Sequence, residues 1–407
     1  MSIFITLIFN RGKKWIYEVY TWVSMNNQEL NHIPKVLMLT SYDFNGRYFR
    51  DFAKALSQHQ QKLVIMSTSR LEASKQSTNS EIFSLTISDP SPWFFSSIRR
   101  FLRIREFNPD IIQTHLFGAG VLGIICGRIL RKKVILTRHH IDEHVQVGNY
   151  AHRFIDRASA KLSDHVVVFS EAAKTWLTDV ESIDENRISV INQGFDFSKL
   201  DPNCKEVQQS SLNLDFSPSN FNIICIARYS KTKGQVYLVE AVGELVTKFE
   251  NIRLTFIGPG ESDWLIDYIE SKGLKKYIRC LPSRDDIAAS IAASDLVVHP
   301  SLVDSFSQLI IEVQGVGTAL IATDIAAARE QIEDGLTGII VPPRDSSSIA
   351  NAIEFLFLNT ELRKRMGIAA REHVRRRFTL DRMYEEQMAC YQKVLKPELE
   401  RKRDEIG

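Results

Sequence analysis

The chain has 407 residues, of which 44% are hydrophobic, and is therefore long and apolar enough to bury large cores in two or three domains. Lys and Arg number 51 against 49 Asp and Glu, a net charge of +2, so charge alone demands no strongly polyanionic partner. The five cysteines lie far apart and form no CxxC pair, which excludes a disulfide framework or zinc site and indicates a reduced, cytosolic protein.

The positive charge is concentrated in the first half of the chain. Residues 35–195 carry 21 basic and 16 acidic side chains. This excess fits a phosphate-bearing or membrane-surface partner, and ordinary variation in surface charge explains it equally well.

Residues 1–34 are expected to form an extension before the first domain. Its apolar stretch "SIFITLIF" (2–9) is too short to span a bilayer and lacks the flanks of a signal peptide. Three interpretations stay open: a poorly packed tail, a membrane-surface anchor, or translation that starts at Met25.

The first domain, 35–195, alternates short apolar runs with amphipathic stretches. Strands are predicted at 35–40, 62–66, 81–86, 111–115, 133–137 and 165–169, and helices at 46–58, up to Glu106, 118–130 and 150–162. Short continuous apolar strands separated by helices indicate a parallel sheet covered on both faces.

A segment rich in Gly, Pro, Asn, Asp and Ser, 196–220, predicts a linker. The alternation then restarts in a second domain, 221–376, followed by a helix over 377–396 and a solvated tail over 397–407. Strands are predicted at 221–227, 252–258, 277–281, 295–300, 318–322 and 337–342, with the main helices at 233–249, 262–272, 346–358, 360–375 and 380–395. We therefore expect an α/β protein of two doubly wound, Rossmann-like domains facing across a cleft.

The turn "CIARYSKTKGQ" (225–235) places two cations, Arg228 and Lys233, between a buried strand and a helix N-terminus. Positive charge and the helix dipole together suit a diphosphate, although both side chains would also be ordinary on a surface. At the same sheet edge, Gly258 in "TFIGPGES" would let the backbone approach a ligand. Ser283 in the loop "PSRDD" would border a nucleobase or belong to an ordinary connection.

The stretch "HPSLVDSFSQLIIEVQGVG" (299–317) carries two acids eight positions apart, Asp304 and Glu312. If a helix begins between them with Ser307 as its N-cap, one acid lies in a loop and the other projects from the second turn. The first-turn N–H groups would then face phosphate oxygens, Glu312 a ribose, and Asp304 the hydroxyls of a sugar. The alternative is a solvated pair of acids.

These motifs, in this order and spacing, resemble the family-4 retaining glycosyltransferases of the two-domain GT-B fold. The resemblance also includes "DLVVHPS", "EDGLTGIIVPPRD" (333–345), "INQGFD" (191–196) and a final helix, 378–395, that in this family crosses back onto the first domain. It is continuous over 190–395 and looser over 35–190.

The resemblance implies roles for individual residues. Arg228 and Lys233 would hold the diphosphate of a nucleotide-sugar donor, and Glu312 its ribose. Asp304 takes the place of a usual Glu beside the donor sugar, and the loop that is often Gly-Phe-Gly reads Ser305, Phe306 and Ser307, followed by Gln308. Pro282 replaces a common Gly beside the base site. These departures leave the sugar and the base open.

On the acceptor side, His139 in "ILTRHHIDEH" (135–144) aligns with the functional His of a T-x-H motif, with His140 as the fallback. His115 and Gly46 are weaker candidates for the acceptor site. A metal held by His139, His140 and His144 lacks a supporting acidic cluster, and the family implies catalysis without a metal or other cofactor.

The segment "RRFLRIR" (99–105) is basic and amphipathic, and would either touch anionic lipid or form the polar face of a helix packed on the sheet. We thus expect a retaining glycosyltransferase that acts on a glycan or lipid-linked acceptor, without nucleic acid, in the cytoplasm or at the inner membrane face. A nucleotide-sugar epimerase of similar architecture and a non-catalytic binding subunit are the alternatives.

Overall fold

The computed structural model describes residues 3–8, 16–21, 34–40, 47–58, 64–67, 83–84, 93–115, 117–139, 150–201 and 203–404. The chain divides into two compact units, Met1–Lys35 and Val36–Gly407. In the first unit, strand β1 (Ile3–Ile8) pairs antiparallel with β2 (Ile16–Thr21), whereas the sequence pattern predicted no strand there.

The N-terminal half of the large unit is built on a seven-stranded parallel sheet of order β5-β4-β3-β6-β7-β8-β9. The strands are β3 (Val36–Thr40), β4 (Val64–Ser67), β5 (Phe83–Ser84), β6 (Ile111–His115), β7 (Lys133–Arg138), β8 (His165–Val168) and β9 (Ile188–Val190). The helices are α1 (Arg47–Gln58), α2 (Trp93–Phe107), α3 (Phe117–Leu130), α4 (Tyr150–Leu162) and α5 (Glu171–Asp179). The sequence pattern predicted neither α5 nor β9.

The C-terminal half contains a six-stranded parallel sheet of order β12-β11-β10-β13-β14-β15. The strands are β10 (Phe221–Ile226), β11 (Ile252–Ile257), β12 (Ile278–Leu281), β13 (Leu296–His299), β14 (Leu320–Thr323) and β15 (Ile339–Val341). The helices are α6 (Cys204–Asn213), α7 (Gln235–Leu245), α8 (Asp263–Ser271), α9 (Ile287–Ala293), α10 (Gln308–Val316), α11 (Ala326–Gln331), α12 (Ser346–Leu358), α13 (Thr360–Arg377) and α14 (Leu380–Asp404). The predicted architecture of two Rossmann-like domains is confirmed.

The segment 196–220, predicted as a linker, contains a 3-10 turn, Phe197–Leu200, and the helix α6. Asn203 starts α6 with a capping box, because its side chain accepts from the N–H of Glu206 while the Glu206 carboxylate accepts from the N–H of Asn203. Turn-forming residues therefore marked the ends of this helix rather than a long loop. The predicted domain boundaries stay a prediction.

The last helix, α14, packs on the N-terminal half. Its buried Tyr391 lies in the core formed with α1 and the N-terminal sheet, and its hydroxyl donates to the Gln113 side chain. Where the chain enters α14, the N–H of Phe195 donates to the carbonyl of Phe378 at 2.9 Å. The helix continues to Asp404, past residue 395, where the sequence pattern predicted its end.

Each sheet changes direction of winding between two central strands. In the N-terminal sheet this switch point lies between β3 and β6, and in the C-terminal sheet between β10 and β13. Ligands of open parallel sheets bind beyond the carboxyl ends of the strands at such points. The residues that follow these strand ends are therefore the candidates for a functional site.

Candidate functional site

The turn after β10 passes very close to the end of β13. Strand β10 leads through Ala227 and the exposed Arg228 into a 3-10 turn, Lys231–Lys233, and then into α7. Gly234 joins the two at φ +64°, and a Cβ there would lie 2.0 Å from the carbonyl oxygen of Pro300. Only glycine allows this approach, which brings Lys233 toward the loop after β13.

Lys233 pairs with Asp304 in the loop Pro300–Ser307, with 3.2 Å between Nζ and Oδ2. The backbone N–H groups of Ser305 and Phe306 also favour the charged form of the Asp304 carboxylate. Burial raises the pKa of Asp304, and Lys233 together with these amides offsets part of that rise. One cation and two loop amides thus surround an anion at the switch point.

His299 ends β13 directly beneath this pair. Its Nε2 lies 3.4 Å from the Ser307 hydroxyl and 3.9 Å from Asp304 Oδ2. Burial, followed by the charge of Lys233, lowers the pKa of His299 to about 3, so its imidazole is neutral. The sequence pattern assigned no role to His299, although a polar residue at the end of a buried strand can indicate a ligand site.

Helix α10 begins at this loop, as its N-cap pattern predicted. Ser307 occupies the N-cap position but makes no side-chain capping bond, and its own N–H donates to Gln331 Oε1 at 3.2 Å. Gln308, in the first turn, donates from Nε2 to Gln193 Oε1 of the N-terminal half at 2.9 Å. Glu312 follows one turn later and is half-buried. The two acids therefore lie on a loop and a helix, respectively.

Gly258 and Ser283 follow the two neighbouring strands, β11 and β12. A Cβ on Gly258 would lie 1.9 Å from the carbonyl oxygen of Ala227, so this glycine lets the two strand ends touch. Ser283 is exposed in the loop before α9, next to an ion pair of Arg284 with Asp286. Both thus share the sheet edge with Lys233.

On the N-terminal half, two histidines meet at the switch point between β3 and β6. His115 ends β6 and His139 follows β7, with 3.0 Å between His115 Nδ1 and His139 Nε2. His115 is 0% exposed, and burial, followed by the nearby His139, lowers its pKa well below the usual range. His115 is therefore neutral, and any contact with a ligand falls to the half-buried His139.

Aromatic rings enclose this pair. Tyr48 lies 5.3 Å from His115 and 5.7 Å from His139 between ring centroids, and Phe169 lies 5.0 Å from His139. Phe306, from the loop that holds Asp304, reaches across to Phe169 at 6.3 Å. One ring of the C-terminal half thus packs against the rings that surround the histidines.

A buried ion pair anchors the end of β7, immediately before His139. Arg138 is 7% exposed and pairs with both carboxylate oxygens of Glu181, at 2.8 and 3.4 Å. Sequence reasoning missed this pair, because its partners lie 43 positions apart. Gly46 and His140, two further predicted residues of the acceptor side, lie outside the described residues.

The residues that the structure describes form neither a cluster suited to a metal ion nor a helix suited to span a membrane. Among those residues, no group of three or more His, Cys, Asp or Glu side chains is arranged to hold a metal ion. Within the same part, every helix is too short or too polar to cross a bilayer.

Comparison with known proteins identifies the family. A family model described as "Glycosyltransferase Family 4" matches residues 46–199, and one described as "Glycosyl transferases group 1" matches residues 213–373. The chain is 25% identical over 290 residues to a phosphatidyl-myo-inositol mannosyltransferase of Mycobacterium leprae, covering 70% of this chain and 74% of that protein. It is 27% identical over 282 residues to a D-inositol 3-phosphate glycosyltransferase of Paenarthrobacter aurescens, covering 65% and 68%.

Solved structures share the fold. HepE of Anabaena, crystallised with UDP, superposes with a TM-score of 0.73 at 20% identity, covering 87% of this chain and 98% of that one. A glycosyltransferase of Rickettsia africae superposes with a TM-score of 0.75 at 22% identity, covering 90% and 100%. The chain thus belongs to the family-4 glycosyltransferases and has their GT-B fold, as its sequence motifs predicted.

Proposed function

We propose that this glycosyltransferase moves a sugar from a nucleoside-diphosphate sugar to a hydroxyl of a glycan or lipid-linked acceptor, with retention of anomeric configuration. Cell-surface polysaccharide or glycolipid synthesis is the process that such products serve. The observation that carries the proposal is the Lys233–Asp304 pair, which lies at the switch point of one sheet while His139 lies at that of the other. Structures of the same fold with UDP and UDP-glucose bound support this donor class.

In this proposal the C-terminal half binds the donor. Lys233 and Arg228 neutralise the diphosphate, the N-terminal amides of α10 add partial positive charge, and Glu312 accepts from the ribose hydroxyls. Asp304 lies 3.2 Å from Lys233 in the structure. When the diphosphate binds, Lys233 contacts it instead, and Asp304 then accepts hydrogen bonds from the hydroxyls of the donor sugar. Two cations and a helix N-terminus supply the positive charge, so we propose that the reaction needs no metal ion.

The N-terminal half binds the acceptor. His139 donates to or accepts from a sugar hydroxyl, and the buried His115 holds its ring in place from behind. Retention then follows if the acceptor attacks on the face from which the nucleoside diphosphate leaves, and the departing phosphate takes the proton of the attacking hydroxyl.

The N-terminal half also offers a surface suited to an anionic membrane. Helices α2, α3 and α4 lie side by side on one face of the sheet. They bear seven of the thirteen large hydrophobic side chains that are exposed in the described part of the chain: Ile98, Leu102, Ile125, Ile129, Phe154, Ile155 and Leu162. Together with the 131–133 connection, the helices carry eleven Lys or Arg, of which Arg100 is buried, and two acidic residues. We propose that this face contacts lipid peripherally.

Flotation with vesicles tests the membrane contact. The paired change Ile129→Ser and Phe154→Ser should reduce binding to vesicles rich in phosphatidylglycerol. The matched control is Leu212→Ser, because Leu212 on α6 is 75% exposed and Phe154 is 74% exposed. Equal loss in both variants, or equal binding to purely zwitterionic vesicles, would contradict the proposal.

The donor is tested by ligand-linked stabilisation. We expect one nucleoside diphosphate and its sugar conjugates to raise the melting temperature, since a ligand at 100 times its dissociation constant adds about 2.7 kcal/mol. With that donor and an acceptor, steady release of the nucleoside diphosphate identifies a transferase. An epimerase would interconvert the sugar without such release, and a non-catalytic subunit would bind the donor without either reaction.

A further inference from the structure

Glu330 reaches from the C-terminal half to the start of a helix in the N-terminal half. It lies on α11, and its two carboxylate oxygens accept from the N–H groups of Glu171 at 3.0 Å and of Ala172 at 2.7 Å. These are the first two residues of α5, and the third N–H, of Ala173, donates to the hydroxyl of the N-cap Ser170 at 3.1 Å. First-turn N–H groups have no partner within their own helix and carry the positive end of the dipole.

The same short helix is tied to the loop that holds Asp304. The N–H of Ala327 donates to the carbonyl of Asp304 at 3.3 Å, and the N–H of Ser307 donates to Gln331 Oε1 at 3.2 Å. Gln331 is fully buried, and its carbonyl accepts from the Gln314 side chain on α10 at 2.8 Å. Helix α11 therefore holds both ends of the 304–307 segment while Glu330 holds the N-terminal half.

We propose that Glu330 is a positioning residue for sugar transfer, an inference that rests on the proposed function. It docks the 304–307 loop against the N-terminal half and so sets the separation between the donor sugar at Asp304 and the acceptor at His139. The coupling is reciprocal. A ligand that orders the 304–307 loop should strengthen the contact of Glu330 with α5, and loss of that contact should make the loop less ordered. A residue that only stabilised α5 would have no effect across the cleft.

Two substitutions break this contact from opposite sides. Glu330→Gln keeps the shape of the side chain and removes its charge. Glu171→Pro removes one of the two donating N–H groups at the first helical position, where proline is favoured. The preceding Ser170 has φ −152° and ψ 154°, the extended conformation that a residue before proline needs. The matched controls are Glu171→Ala, which keeps the N–H, and Glu361→Gln, which removes an exposed carboxylate on α13.

Amide hydrogen exchange of the full chain without ligand is the decisive measurement. We expect Glu330→Gln to speed exchange both at Ala172 and at residues 305–308, and Glu171→Pro to speed exchange at 305–308, which it does not touch. The two controls should leave exchange at 305–308 as in the wild type. Unchanged exchange at 305–308 in both test variants, or equal effects of Glu171→Pro and Glu171→Ala, would overturn the proposal.

Kinetics then separate this inference from the proposed function. Glu330→Gln should reduce turnover about fivefold or more, and Glu361→Gln should not. If the exchange results hold and the protein transfers no sugar, the coupling stands and the proposed reaction fails. If sugar is transferred at the wild-type rate by Glu330→Gln, the positioning role is refuted.

Discussion

The two sides of the cleft hold their functional groups in opposite ways. On the C-terminal side, a cation, a carboxylate and loop amides form a charged cluster around Lys233 and Asp304. On the N-terminal side, two imidazoles hydrogen-bond to each other within a shell of aromatic rings, and burial keeps His115 neutral. A charged cluster suits a diphosphate, whereas neutral rings suit the hydroxyls of a sugar. The contrast therefore supports the assignment of donor and acceptor sides.

The cations of the donor side should matter most for the reaction. We expect Lys233→Ala to lower turnover by about 10²- to 10³-fold, because it removes charge stabilisation at the departing diphosphate worth about 2–4 kcal/mol. Release of nucleoside diphosphate measures this. Lys231→Ala is the matched control, since Lys231 is an exposed cation of the same 3-10 turn. Equal losses in both variants would contradict the specific role of Lys233.

Substitutions on the acceptor side should lower turnover and leave nucleotide binding unchanged. We expect His139→Ala to reduce turnover by up to about 100-fold, since a misplaced acceptor loses its orientation. His115→Phe should have a smaller effect in the same direction, because His115 acts through His139. Calorimetry with the nucleoside diphosphate should give wild-type affinity for both variants.

A third buried histidine serves as the control for that experiment. His165 lies in β8, with its Nε2 2.8 Å from the Ser189 hydroxyl. His165→Gln should leave turnover unchanged. A drop in nucleotide affinity with His139→Ala would instead place this histidine on the donor side of the cleft.

The contrast also separates what the sequence could predict from what it could not. The strands and their ends follow from continuous apolar runs, so the positions of Lys233, Asp304, His115 and His139 at the sheet edges were predictable. Helix α5 and strand β9 were missed because they are short and carry weak periodicity. The role of Glu330 was invisible, since its partners are backbone N–H groups 158 and 159 positions away.

The buried histidines predict how stability depends on pH. The folded-state pKa of His299 is about 3, below its unfolded value of about 6.5, so the unfolded chain binds the extra proton. Its contribution to stability is full above pH 6.5 and is lost as the pH falls toward 3, by about 2 kcal/mol between pH 7 and pH 5. His115 and His165 act in the same direction.

Urea denaturation at pH 5, 6 and 7 measures this loss. His299→Gln should reduce the change between pH 7 and pH 5 by about 2 kcal/mol, whatever its effect on stability at pH 7. Substitution of an exposed histidine is not expected to alter how the unfolding free energy changes with pH. An identical pH dependence in the wild type and the variant would mean that His299 binds a proton as readily in the folded as in the unfolded protein, and is thus protonated at pH 5.

The smallest predicted effect concerns the two helices whose N-cap positions hold Asn203 and Ser307, residue types that both favour capping. Asn203 caps α6 through its side chain, whereas Ser307 at the start of α10 makes no capping bond and its hydroxyl lies 3.4 Å from His299. We expect Asn203→Ala to cost about 1 kcal/mol of unfolding free energy and Ser307→Ala less than about 0.5 kcal/mol. Since the Ser307 side chain does not cap the first-turn N–H groups of α10, those groups can donate hydrogen bonds to a phosphate. A cost near 1 kcal/mol for Ser307→Ala that is also seen in the His299→Gln background would mean that the hydroxyl caps the helix in solution and competes with the donor.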